Sequence, residues 1–205
     1  MSPQDVMAIF LERGRQPCAD VALLQVEHGW QCAQLAARAH AEPALQLAAW
    51  LRDLGQLMGG AAAWTALDGL GARHELLAAG VLAPAFGPAV ADPVALQVQA
   101  RRFMLAARPQ LLTLLTPACV RQVEERGGPM SAGEAAHFAS LPHARDAVRL
   151  CQWDDAAKVV SWRPADMGAA LRALSALMAW VHALHLEQRV DPSVHRRAAD
   201  PLPAG

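Results

Sequence analysis

The run Ala48-Ala49-Trp50-Leu51-Arg52-Asp53-Leu54-Gly55-Gln56-Leu57 sets an arginine and an aspartate into an otherwise apolar stretch that a glycine stops. Charged side chains are seldom buried unless they are used or mutually satisfied, so the pair marks a site. Asp53 can hold a cation, or it can be compensated in place by Arg52, by Arg101 or by a protonated histidine. Arg52 stays protonated and has no lone pair to give, so it cannot coordinate a metal. Its head, turned into the same pocket, supplies positive charge there directly, and this is the favoured reading. Histidine and carboxylate side chains are suitable ligands for iron, manganese or zinc, but residue type alone does not say which of them meet. Asp154 and Lys158 are four residues apart, the spacing of a plain helical ion pair. His182-x-x-His185 has metal-like spacing, lacks a third ligand and is read as surface. Cys119 has no base beside it in sequence, and the cysteines are read as core-filling thiols.

The elements that must position these groups are helices. Ser2-Pro3 is an N-cap followed by proline, opening a helix with Val6, Ile9 and Phe10 on one face that stops near Gly14. A longer helix runs from about Val21 to Ala39 and carries His28. Pro43 opens the helix that reaches Arg52-Asp53. Gly59 to Gly71 reads as a loop, and 72–82 as a helix with His74-Glu75 in its first turn. Pro84 to Pro88 is expected to be a turn, and Asp92-Pro93 a new helix start leading to Gln97 and Arg101. Pro109 and Pro117 start two shorter helices, and Ser131 with Glu134 is a capping box. Pro142 is expected to open a helix through Lys158. A last helix, from about Asp166 to Glu187, has apolar residues at helical spacing. One domain over 1–189 and a disordered tail over 190–205 complete the expected layout.

Composition agrees with this layout and narrows the function. The 205 residues are 54% hydrophobic, much of that Ala and Leu, with no Tyr and with β-branched residues sparse apart from Val, which argues for an all-α protein. A net charge of −1 points to neither a nucleic-acid nor a membrane partner. The four cysteines form no C-x-x-C pair, the N-terminus has no basic start or long apolar run, and the longest uncharged stretch, Leu54 to Leu67, is too short and too rich in small residues to span a bilayer. A cytoplasmic protein with reduced thiols is expected.

Glu27-His28, Arg73-His74-Glu75, Arg101-Arg102-Phe103, Gly127-Gly128-Pro129-Met130-Ser131, Leu141 to Leu150 and Trp153-Asp154-Asp155-Ala156-Ala157-Lys158 recur in one branch of the HD-domain superfamily. Over about Asp20 to Val160 the chain resembles that branch, the di-iron oxygenases of organophosphonate catabolism, relatives of myo-inositol oxygenase. The resemblance implies an HD-domain helical bundle and oxidative carbon–phosphorus cleavage with O₂ at one or two irons. The metal-binding positions it assigns here are His28, Asp53, His74 and Asp154, with Asp53 as the bridge. It also marks where this chain departs. The superfamily motif His-Asp-x-Gly-His is Arg52-Asp53-Leu54-Gly55-Gln56 here, and a further histidine position is Gln97, a poor substitute for imidazole at iron. Each iron would lose one imidazole. A tyrosine and a glutamate near the metal correspond to Cys18 and Val21, and an arginine to Cys151. On the phosphonate side, Arg101, Gln122, Cys119 and Lys158 fall at or near substrate-binding positions.

Two readings follow. In the first, the chain is a metal-depleted, non-catalytic homologue that binds a small phosphonate or phosphate, or a protein partner, with no metal. In the second, it is a metal-dependent oxygenase or phosphohydrolase with an atypical, mononuclear site. The direction of the Arg52 side chain separates them.

Overall fold

The computed structural model describes residues 1–18, 21–59 and 73–190, apart from the side chain at 118. Most of the glycine-rich loop expected over Gly59–Gly71 and the tail expected beyond Val190 lie outside the described residues. Among those described, eleven α-helices and one 3₁₀ helix make an all-α bundle.

The helices, in order, are α1 (Pro3–Arg13), α2 (Gln25–Arg38), α3 (Pro43–Leu51), α4 (Leu54–Met58), α5 (His74–Phe86), α6 (Pro88–Ala95), α7 (Gln97–Ala107), the 3₁₀ helix (Pro109–Leu114), α8 (Pro117–Glu125), α9 (Ala132–Ala139), α10 (Ala144–Ala156) and α11 (Met167–Val190). The signals at helix starts are local and hold. Ser2 and Asp5 close a capping box on α1, Ser131 and Glu134 close one on α9, and Pro43 and Pro117 sit at first positions.

Prolines elsewhere mislead. Pro84 does not end α5, which continues to Phe86 and turns only at Gly87, where φ is +80°. Pro93 does not open a helix but lies in the last turn of α6. Near a helix end a proline forfeits only one intrahelical bond, and burial of Ala85, Phe86, Val90 and Val94 favours carrying the helix through. The helix expected from Pro142 starts two residues later, after His143 in the left-handed region (φ +60°), and ends at Ala156.

The main core gathers Leu45, Leu47, Ala48 and Leu51 of α3, Leu82 and Phe86 of α5, Val90 and Val94 of α6, and Leu174 and Met178 of α11. A smaller core holds Ala100, Phe138, Ala147 and Cys151. Helix α10 joins the two, since Leu150 and Trp153 pack in the first and Ala147 and Cys151 in the second. Helix α11 is the one described helix with the length and hydropathy to cross a membrane, yet it lays Ala170, Leu174, Met178 and Val181 against the bundle. Near its end, His182 Nδ1 meets the Ala85 carbonyl at 2.6 Å, and the His185 ring lies against Gly87. Both histidines of that pair therefore rest on the end of α5.

Candidate functional site

The apolar stretch that carries the charged pair is broken at the pair itself. Helix α3 stops at Leu51 and α4 begins at Leu54, so Arg52 and Asp53 occupy the interruption, flanked by leucines with no exposed surface. A break in a helix frees backbone carbonyls that need donors. Gln97 Nε2 supplies one to the Arg52 carbonyl at 3.2 Å and also donates to the Val94 carbonyl at 3.0 Å. The Gln97 amide is thus spent on backbone.

The sequence candidates line one cavity of about 160 Å³. Helix α2 contributes His28, the α3–α4 junction Arg52, Asp53 and Gln56, and α5 His74 and Glu75. Helix α7 contributes Gln97 and Arg101, α8 Cys119 and Gln122, and α10 Cys151 and Asp154, with Lys158 just beyond. Cys18 and Val21 line it too. Glu75 and Gln25 are lining residues that the sequence did not single out as such. The one available signal was that Glu75 follows His74 in a first helical turn.

At the centre is the Arg52 guanidinium. Its Nη2 lies 2.6 Å from His28 Nε2 and 2.8 Å from Asp154 Oδ1, and it bonds directly to Asp53 Oδ2. His28 Nδ1 is 3.1 Å from the Ala157 carbonyl. A proton on Nδ1 donates to that carbonyl; Nε2 lies 3.0 Å from Asp154 Oδ1 as well, so its lone pair accepts from Arg52 in the neutral ring, and a proton on it donates to Asp154 in the imidazolium. Asp53 Oδ1 accepts from Gln56 Nε2 at 3.2 Å, so both carboxylate oxygens are occupied. Asp154 Oδ2 accepts from Arg101 Nη2 at 3.1 Å, and Arg101 Nη1 pairs with Asp155.

Electrostatics hold this cluster in its charged form. Burial works against the Arg52 cation, but Asp154 and then Asp53 more than offset it and keep its pKa above the ordinary arginine value. Burial likewise opposes the Asp154 carboxylate. Arg52, with His28 and Lys158 behind it, holds that carboxyl below the usual range. Burial also pulls His74 down, leaving a neutral imidazole on the α5 side. Burial pushes the Cys18 thiol up to about 11 and the Cys151 thiol up to about 12. Both face the cavity as thiols, not thiolates, at neutral pH.

The helical ion pair of Asp154 with Lys158, the plain alternative to a site role for both, is not formed among the described residues. Helix α10 ends at Ala156, and Lys158 leaves the helical register. The fully buried Gln31 pins the turn that follows, donating to the carbonyls of Val159 (2.8 Å) and Trp162 (2.6 Å) and accepting from the Val159 N–H (3.2 Å). Lys158 lines the cavity without a hydrogen bond or ion pair among the described residues.

A di-iron centre does not fit these residues. One guanidinium nitrogen sits where a cation shared by His28, Asp53 and Asp154 would have to sit, and Asp53 has no oxygen left to bridge with. Among the described residues no group of three His, Cys, Asp or Glu side chains forms a metal-holding cluster.

The junction is also sterically closed. A Cβ on Gly55 would lie 2.0 Å from the His74 carbonyl oxygen, so α4 and α5 approach backbone to backbone. Gly55→Ala is expected to cost about 1–3 kcal/mol, measured by thermal unfolding. A variant as stable as wild type would show that the two helices part freely.

The chain is 36% identical over 157 residues to the hydroxymethylphosphonate dioxygenase of Gimesia maris, covering 72% of this chain and 74% of that protein. It belongs to the phosphonate dioxygenase family. A second member of the family, the [1-hydroxy-2-(trimethylamino)ethyl]phosphonate dioxygenase (glycine-betaine-forming) of Leisingera caerulea, is 27% identical over 150 residues, 73% of this chain and 76% of that protein. No protein-family model matches the chain.

Proposed function

We propose that this chain binds a small phosphonate or phosphate anion in the family's cavity, with Arg52 in place of the irons, and does not carry out the oxygenase reaction. The observation behind this is the position of Arg52 Nη2 among His28, Asp53 and Asp154. A dianion entering the cavity meets Lys158, which has no hydrogen bond or ion pair among the described residues, and Arg101, whose Nη2 stays with Asp154 while its Nη1 partner Asp155 has a side chain 42% exposed. With Asp155 displaced, Arg101 Nη1 offers a charge-assisted hydrogen bond to a phosphonate oxygen. Gln122 adds an amide donor from α8.

The second reading, an active oxygenase on a small organophosphonate, draws on the activities of the two relatives and on the retained His28, Asp53, His74 and Asp154. Metal analysis after anaerobic loading with iron and manganese separates the two. Background metal, together with calorimetric binding of hydroxymethylphosphonate, is expected. Near-stoichiometric iron that disappears in Asp53→Ala would overturn the proposal and establish the second reading.

A further inference from the structure

We infer that Arg126 is a specificity-determining residue, which masks Glu75 and restricts the cavity to anions whose organic part carries no positive charge. The inference rests on the anion-binding function proposed above and concerns which anion is taken.

Among the described residues six charged ones line the cavity: Arg52, Asp53, Glu75, Arg101, Asp154 and Lys158. Each of the three carboxylates is already held by a guanidinium, Asp53 by Arg52, Asp154 by Arg52 and Arg101, and Glu75 by Arg126. The last pair differs from the others. Arg126 is not a lining residue. It follows the end of α8, where its N–H bonds the Val123 carbonyl at 3.2 Å, and precedes Gly127 and Gly128, both in the left-handed region (φ +98° and +71°). From there its Nη1 reaches Glu75 Oε1 at 3.1 Å. The Glu75 side chain is only 6% exposed, so an unmatched charge there is costly, and Arg126 matches it from outside the lining.

This fixes what the cavity can recognise. A phosphonate with a hydroxyl-bearing carbon finds a cation for its oxyanion and the glutamine amides of Gln25 and Gln122 around its neutral end. The Gln25 Oε1 atom is buried with no hydrogen-bond partner and can accept from a hydroxyl. A phosphonate carrying an ammonium finds no uncommitted carboxylate among the described lining residues. Nor does any Phe, Tyr or Trp ring line the cavity among the described residues, so the cation–π alternative is missing as well. Such a ligand must strip water from its ammonium without a partner, or displace Arg126.

Hydroxymethylphosphonate and aminomethylphosphonate differ only in a hydroxyl against an ammonium and make the matched probes. Calorimetry on the full chain at neutral pH is expected to show wild type binding the hydroxyl compound at least about tenfold more tightly, the scale of one unpaired polar group. Arg126→Ala and Arg126→Met should narrow or invert that ratio by raising aminomethylphosphonate affinity. Arg126→Lys should restore the wild-type ratio, and Arg126→Met with Glu75→Gln should abolish the gain. A general loss of packing would weaken both probes alike and leave the ratio unmoved. Equal binding of the two probes by wild type, or an unchanged ratio in both Arg126→Ala and Arg126→Met, overturns the inference. Failure of folded wild type to bind either probe overturns the anion-binding function itself, and this inference with it.

Discussion

Arg52→His combined with Gln97→His is expected to turn the cavity into a metal site. In wild type the guanidinium occupies the point shared by His28, Asp53 and Asp154. Arg52→His removes that cation, frees one Asp53 oxygen and adds an imidazole, leaving three further donors of iron type around it. One equivalent of iron or manganese should then be retained after anaerobic loading and desalting. Gln97→His alone should retain none, because Arg52 still fills the centre. The double variant should approach two equivalents, the second held on the His74 side with Asp53 between. Elemental analysis reads this ladder directly. Metal uptake by the Gln97 variant, or none by either Arg52 variant, would sink the correspondence between these positions and metal ligands. Binding without turnover is expected throughout, since Cys18 and Val21 still stand where the resemblance places a tyrosine and a glutamate.

How much of this the sequence could tell depends on how local each determinant is. The all-α architecture followed from composition and from caps that act within three residues, such as Ser2–Asp5 and Ser131–Glu134. Pro84 and Pro93 failed as boundaries because tertiary burial of their neighbours outweighs one lost hydrogen bond. The convergence of His28 with Asp154, 126 residues apart, came only through the family resemblance, since no local pattern brings them together. The inward turn of Arg52 was legible from chemistry joined to the family resemblance: a cation between buried leucines must find its counter-charge close by, and the resemblance placed the carboxylates of a metal pocket there. Gln97 was not. Its amide hydrogens serve a backbone carbonyl exposed by a helix break that the sequence does not announce. Nor were Glu75 and Arg126, an ordinary surface-type pair until the fold buries one of them beside the cavity. The plain alternative for Lys158, a helical ion pair with Asp154, fails because four-residue spacing counts only while the helix continues, and α10 stops two residues short of it.

Arg52→Ala is expected to be the most destabilising single change at the site. It leaves the buried Asp53 and Asp154 facing each other and His28 across an emptied pocket, with Arg101 the nearest remaining counter-charge to Asp154. Removing one member of a buried charge cluster typically costs about 3–5 kcal/mol, which for a chain of this size lowers Tm by roughly 10 °C. Two further measurements separate lost charge balance from lost volume. Arg52→Ala combined with Asp53→Asn removes one uncompensated carboxylate with the cation and should recover a good part of the stability. Zinc or manganese should raise the Tm of Arg52→Ala and leave that of wild type unchanged, since a ligand bound only to the folded state stabilises it by mass action, and only the variant exposes His28, Asp53 and Asp154 together. A loss below about 1 kcal/mol would place the guanidinium among surface ion pairs and remove it from the centre of the cavity. A metal response as large in wild type as in the variant would mean that Arg52 yields the pocket readily, and that the chain is a metalloprotein with an arginine beside its site.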